Sequence, residues 1–197
     1  MAQSFSLKDS LRPYDGLQAG EALHRLISMR PKTVLDVGSG TGVHAEAMRE
    51  KGISVTTISL VEPCDWLGDF MDYDGHAVDV IWASHVLEHI PNPNAFLRKC
   101  HALCNHLVIT VPPLKTALVG GHVNLFTMGT LQYHLILAGF QPKRWASYGY
   151  NLSVIAEASY MPLPDLVFDK GDIESLKDWF PKGTKQRTDG SFEDCNW

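Results

Sequence analysis

The chain is predicted to fold as α/β: a doubly wound, mostly parallel seven-stranded sheet with helices on both faces and a C-terminal antiparallel hairpin. Three observations predict it. Short apolar runs rich in β-branched residues alternate with segments of helical periodicity, the pattern of strands covered by crossover helices. The first such run, TVLDV, leads straight into a glycine-rich turn, GSGTG. Two strand-like runs with no helix between them close the pattern within residues 143–159.

Each element has a local reason. Ala19, Ala22, Leu23, Leu26 and Ile27 recur at helical spacing, and Pro31 stops that helix. Residues 33–37 are a buried strand. Residues 43–51 are helical and end at Gly52. ISVTTIS, 53–59, alternates as a strand does, and a short third strand is expected within 65–70. VDVIWAS, 78–84, is a buried strand. Asn92-Pro93 opens a helix through AFLRKCHALC, since proline suits a first helical turn. HLVITV, 106–111, is a strand stopped by Pro112-Pro113. Thr127 caps a helix that closes at Gly139, and the hairpin turns at Gly149-Tyr150-Asn151. One domain, 1–197, is expected, with its core at about 17–158 and a Pro- and Asp-rich extension, 160–197, that wraps the domain or meets a second subunit.

Composition limits the partners. The net charge is −5 and the densest basic stretch is PKGTKQR, 181–187, so nucleic acid and anionic membrane are not expected partners. No apolar run is long enough to span a bilayer, and MAQSFSLKDS lacks a signal-type apolar core. Four cysteines in 197 residues make no disulfide scaffold, which points to a reduced, cytoplasmic protein. Cys100, His101, Cys104 and His106 superficially suggest zinc. The two cysteines are instead expected on the buried face of a helix, and no metal site is expected.

Gly38, Gly40 and Gly42 follow a buried strand and open a helix, where they permit a tight turn and a ligand's approach to backbone. A dinucleotide fingerprint would need glycine at Val43, and a P-loop would need G-K-[ST]; both are absent. The pattern VLDVGSGTG resembles motif I of the class I S-adenosylmethionine-dependent methyltransferases. VDVIWASHVLEHIPNP resembles the fourth strand and following loop of the subgroup carrying SHVLEH, and GGHVNLFT with LILAGF resembles that subgroup's segment after strand five.

The resemblance implies S-adenosyl-L-methionine as cofactor. It places Asp36, Gly38, Ser39, Gly40 and Gly42 around the amino-acid end of that cofactor, with Asp36 fixing the loop. It places Asp69 and Phe70 beside the adenine, and Ser59, Leu60, Glu62 and Ser84 elsewhere along the site. Two departures stand out. CHALCNH replaces the usual K-P-G-G turn, so that connection is tightened. Ser59 stands where the family has Asp or Glu to hold the ribose hydroxyls, with Glu62 the acid expected to compensate.

A hydroxyl acceptor must lose a proton, and histidine titrates in the right range. His85 and His122, in loops leaving the same sheet edge, are the catalytic candidates; His89 is a weaker third, and Glu88 is either a helix-end acid or an orienter for a histidine. His85 and His122 could equally be loop-organising side chains, and His89 is more readily one than a base. Pro63-Cys64 and Pro112-Pro113 sit in the wrong places for methylation of nucleic-acid bases, and Trp82 is expected in the core. The expected acceptor is a small molecule or a glycan sugar. The sugar follows from the resemblance of GGHVNLFTMGTLQYHLILAGF and SYGYNLSVIAE to methyltransferase-like proteins of polysaccharide gene clusters. A non-catalytic, partner-dependent member of the family is the alternative.

Overall fold

The computed structural model describes residue 14 and residues 16–181. Its elements are α1 (Gly20–Ser28), β1 (Thr33–Val37), α2 (Val43–Arg49), β2 (Ser54–Ser59), β3 (Trp66–Leu67), β4 (Val78–Ser84), α3 (Pro93–Leu103), β5 (Cys104–Val111), α4 (Met128–Leu137), β6 (Phe140–Tyr148), β7 (Asn151–Ala158) and α5 (Asp172–Ser175). The seven strands form one sheet in the order β3-β2-β1-β4-β5-β7-β6. β1 to β5 pair in parallel, and β7 pairs antiparallel with both β5 and β6. The strand order reverses between β1 and β4. In an open α/β sheet that reversal leaves a crevice beyond the carboxyl ends of the strands.

The period of two along β1 sorts its side chains between two cores. Leu35 and Val37 join Phe96, Leu97, Leu131 and Leu135, under α3 and α4. Val34 joins Leu23, Leu26, Ala45 and Met48, under α1 and α2. Trp82 is fully buried in the second core, and its indole N–H donates to His44 Nδ1 at 3.3 Å. Each of these large side chains contributes roughly 1.5–3 kcal/mol on burial.

Capping follows sequence. The Asn92 side chain accepts from the Ala95 N–H ahead of Pro93, and Thr127 forms a capping box with Thr130. Two expectations need correction. β5 begins at Cys104, not His106, so α3 runs into the strand without a loop. Cys104 consequently pairs with Val78 in the sheet and does not share the helix face of Cys100, though both are buried.

The chain after β7 packs back on α4: Leu176 and Trp179 bury against Ile136. Asp172 fixes this segment by accepting the N–H groups of Val167 and Phe168 at 3.1 and 2.8 Å. The expectations for 1–10, for PKGTKQR beyond its first residue and for the end of the extension lie outside the described residues. No helix among the described residues is long and apolar enough to cross a membrane.

Candidate functional site

A cleft of about 450 Å³ opens at the reversal of strand order, lined by Gly38, Gly40, Ser59, Asp69, Phe70 and His85, with Leu60 at its rim. Its lining is largely apolar, with Val37, Ile58 and Phe96 among it, and Ser59, Asp69, His85 and His89 supply its polar side chains. The volume suits a cofactor-sized ligand.

The glycine loop is fixed from below. Gly38 and Ser39 donate their N–H groups to Ile58 O at 2.8 and 3.1 Å. Gly38 has φ +73°, and a Cβ there would lie 2.3 Å from Val86 Cγ2, so only glycine lets the loop close on the turn after β4. Gly40 differs. It also sits at positive φ, +54°, yet a Cβ there meets nothing within 4 Å. Its open side is cleft, not protein.

Beneath the loop lies Asp36, 2 % exposed, with Oδ2 lacking any hydrogen-bond partner among the described residues. Burial pushes its carboxyl up to about 7, against a weaker downward pull from the Arg49 guanidinium. Ser39 Oγ is likewise buried without a hydrogen-bond partner among the described residues. Two orphaned buried polar groups around a glycine cradle fit a ligand that brings its own donors.

The folded value of Asp36 exceeds its unfolded value of about 4, so its contribution to stability is full below pH ~4 and is lost as pH rises through about 7. Asp36→Asn is therefore expected to raise the melting temperature of the free protein at pH 8 by removing a penalty of up to ~4 kcal/mol. The same substitution gives no gain at pH 4. Thermal unfolding across that range checks it, and parallel curves for the two proteins would contradict it.

Ser59 Oγ accepts the Val61 N–H at 3.2 Å at the end of β2. Glu62 was expected to compensate for the missing carboxylate, and its placement corrects that. It is exposed, its Oε2 accepts the Cys64 N–H at 3.2 Å, and it does not line the cleft. The carboxylate that lines the cleft is Asp69, whose Oδ1 caps the turn at Met71. Ser59→Asp is expected to tighten S-adenosylhomocysteine binding about tenfold by supplying a charged bidentate acceptor. Calorimetry checks this, and weaker binding would show that another group already fills the role.

At the far end of the cleft stands His85, in a left-handed conformation rare outside glycine, φ +57°. Its Nε2 lies 2.9 Å from Asn151 Oδ1 and its Nδ1 lies 3.3 Å from Glu88 Oε1. Burial works against its charged form, but Glu88 and Asn151 outweigh burial and hold its pKa above the ordinary value. With both nitrogens facing acceptors, His85 donates in this arrangement; the free ring nitrogen expected of a base is not there. Tyr150 stacks on its ring, and Lys115 Nζ lies over the Tyr150 ring, 4.2 Å from its centroid.

His89 lines the cleft, and the partly buried His122 packs edge-on against it with ring centroids 4.9 Å apart. The two loops after β4 and β5 thus bring His85, His89 and His122 to one edge. Gly42, Glu62, Ser84 and His122 lie outside the lining itself. Sequence reasoning missed Asn151 and Tyr150 as site residues. Their signal was available: an antiparallel strand beside β5 must start at the carboxyl edge, so the hairpin turn arrives there.

The sequence profile of a family described as Methyltransferase domain matches residues 14–148. The chain belongs to this methyltransferase family. A ubiquinone biosynthesis O-methyltransferase of Chromobacterium violaceum is 27 % identical over 171 residues, covering 72 % of this chain and 74 % of that protein. One of Pseudomonas paraeruginosa is 35 % identical over 91 residues, a local match of 36 % of this chain and 39 % of that one. The Burkholderia thailandensis 1,6-didemethyltoxoflavin-N1-methyltransferase, solved with S-adenosylhomocysteine, superimposes with a TM-score of 0.63 at 24 % identity over 76 % of this chain and 78 % of that one. The mitomycin 7-O-methyltransferase gives 0.55 at 16 % over 66 % and 50 %. At those identities the likeness is one of fold. The methyltransferase uses S-adenosylmethionine as its methyl donor.

Proposed function

We propose that this methyltransferase O-methylates a hydroxyl of a small molecule or of a glycan sugar. The observation that carries the reading is the gathering of His85, His89 and His122 at one edge of the sheet, beside the cleft. A sulfonium methyl donor is already activated, so what a hydroxyl acceptor needs from the protein is alignment and removal of a proton. Partial identity to O-methyltransferases over 72 % of the chain supports the same class.

The roles divide by position. Gly38 and Gly40 give backbone access, Asp36 and Ser39 offer unpaired polar atoms beneath the loop, and Ser59, Asp69 and Phe70 line the remainder of the cofactor's side. When bound, the cofactor would supply an electrophilic methyl group. His122 is the histidine on which removal of the acceptor's proton depends, because its ring makes no hydrogen bond among the described residues. His85 positions Glu88 and the Tyr150-Asn151 turn. Free thiols at Cys64, Cys100 and Cys104 fit a reducing, cytoplasmic setting.

Ser59 favours a second reading, a member that binds cofactor weakly and acts through a partner. Screening sugars and small alcohols for release of S-adenosylhomocysteine separates the two. Turnover of any hydroxyl compound supports catalysis, and binding without turnover across the panel supports the partner-dependent form.

A further inference from the structure

We propose that Glu88, His89 and His122 form a binding site for one divalent cation of the zinc class, with open coordination positions toward the acceptor end of the cleft. One ligand atom from each of the three lies within 4.8 Å of the others. The set is one carboxylate and two imidazoles, which suits borderline metals, and three protein ligands leave room for water or substrate.

The strongest observation is electrostatic. His89 Nδ1 lies 2.9 Å from Gly121 O. A carbonyl only accepts, so Nδ1 carries the hydrogen, and in neutral imidazole Nε2 is then a bare lone pair. That nitrogen faces Glu88 Oε1 at 3.9 Å. Two acceptors facing each other are repulsive unless a cation or a proton lies between them. Glu88 is 1 % exposed, and its Oε2 has no hydrogen-bond partner among the described residues. The His85 imidazole approaches only Oε1. A buried carboxylate so poorly matched calls for a further positive partner.

The surroundings are built to hold the ligands. The Gly121 carbonyl fixes the His89 tautomer, as a backbone acceptor commonly does for a metal-bound imidazole. Gly121 has φ +81°, and a Cβ there would press on His89 Nδ1 at 3.1 Å. The loop carrying His122 is stitched to the turn carrying Glu88: Val123 and Asn124 donate their N–H groups to Glu88 O at 2.9 and 3.1 Å, and Asn124 Nδ2 donates to Ile90 O. Both loops are therefore in register before any ion arrives.

The ion's role, as distinct from its binding, rests on the hydroxyl-acceptor reading above. A hydroxyl oxygen taking an open position on the cation becomes more acidic and releases its proton to water. His122 would then act through the ion, as a ligand, and not by taking the proton itself.

The test uses the full chain, freed of metal by chelator and titrated with Co²⁺ and Zn²⁺ in the absence of cofactor and acceptor. One ion per chain is expected, with the Co²⁺ visible spectrum of a nitrogen- and oxygen-ligated site of low coordination number. Glu88→Gln, His89→Ala and His122→Ala are each expected to weaken binding by roughly a hundredfold or more, at least the scale of losing a group that merely orients a ligand. His76→Ala, at an exposed histidine outside the cluster, should bind as the wild type does. Folding of each variant is checked by circular dichroism, and Glu88→Gln preserves shape should His122→Ala fold poorly. Absence of stoichiometric binding, or equal binding by wild type and all three variants, overturns the site and leaves Glu88 as the partner of protonated histidines. Binding without hydroxyl methylation leaves the site standing and removes the acceptor reading. Methylation without binding does the reverse.

Discussion

The Gly40→Leu protein is expected to fold and to lose S-adenosylhomocysteine affinity by at least about a hundredfold, equivalent to ~2.7 kcal/mol. Two facts about one residue set this apart from an ordinary loop substitution. A side chain at residue 40 enters open space on the cleft side, with no atom of the described residues within 4 Å of its Cβ. The fold therefore meets only the left-handed backbone penalty, of order 1–2 kcal/mol. The cofactor meets the whole isobutyl group where it needs bare backbone. Calorimetry gives the affinity and thermal unfolding gives the stability. Unchanged affinity would contradict the assignment of this loop, and loss of folding would contradict the openness of its outer side.

The second large effect concerns turnover. His122→Ala is expected to lower the rate with a hydroxyl acceptor by ~10²–10⁴, the range associated with assisting proton transfer. Affinity for S-adenosylhomocysteine should stay within roughly threefold, because His122 lies outside the lining of the cleft. That separation of turnover from cofactor affinity distinguishes a role at the acceptor end from a general loss of structure. Steady-state rates beside calorimetry measure it. Near-wild-type turnover in His122→Ala would leave alignment alone as the source of rate enhancement.

Much of the fold was legible because local and global signals agreed. Asn92-Pro93 and Thr127 announce helix starts through capping chemistry that depends on neighbours in sequence, and both caps form. The glycine loop was legible because positive φ and a forbidden Cβ leave a mark in residue type. The start of β5 was not. Cys104 extends the strand only because Val78 lies beside it in the sheet, a partner 26 residues away that no local pattern reveals.

The site was legible in outline and less so in its connections. His85 and His122 could be placed at one edge from topology alone. The approach of Asn151 to His85 spans 66 residues, and the contact of His89 with Gly121 spans 32. Such encounters are set by packing of the hairpin and loops against the sheet. The misplacement of Glu62 has the same origin. Three residues beyond Ser59 is close in sequence, but the turn carries its carboxylate to the Cys64 N–H and away from the cleft. Glu88, His89 and His122 are each legible as candidates, but their approach to within 4.8 Å is not, because the third member comes from another loop and sequence spacing registers only neighbours along the chain.

The most direct measurement of the central claim is the fate of the methyl carbon. The protein is incubated with S-adenosylmethionine labelled with ¹³C in the methyl group and with a panel of sugars, small alcohols and phenols, and the product is read by nuclear magnetic resonance. The expected result is a labelled methyl carbon bonded to oxygen, with S-adenosylhomocysteine released in equal amount. A label bonded to nitrogen or carbon, or no labelled product from any hydroxyl compound while cofactor binds, would contradict it.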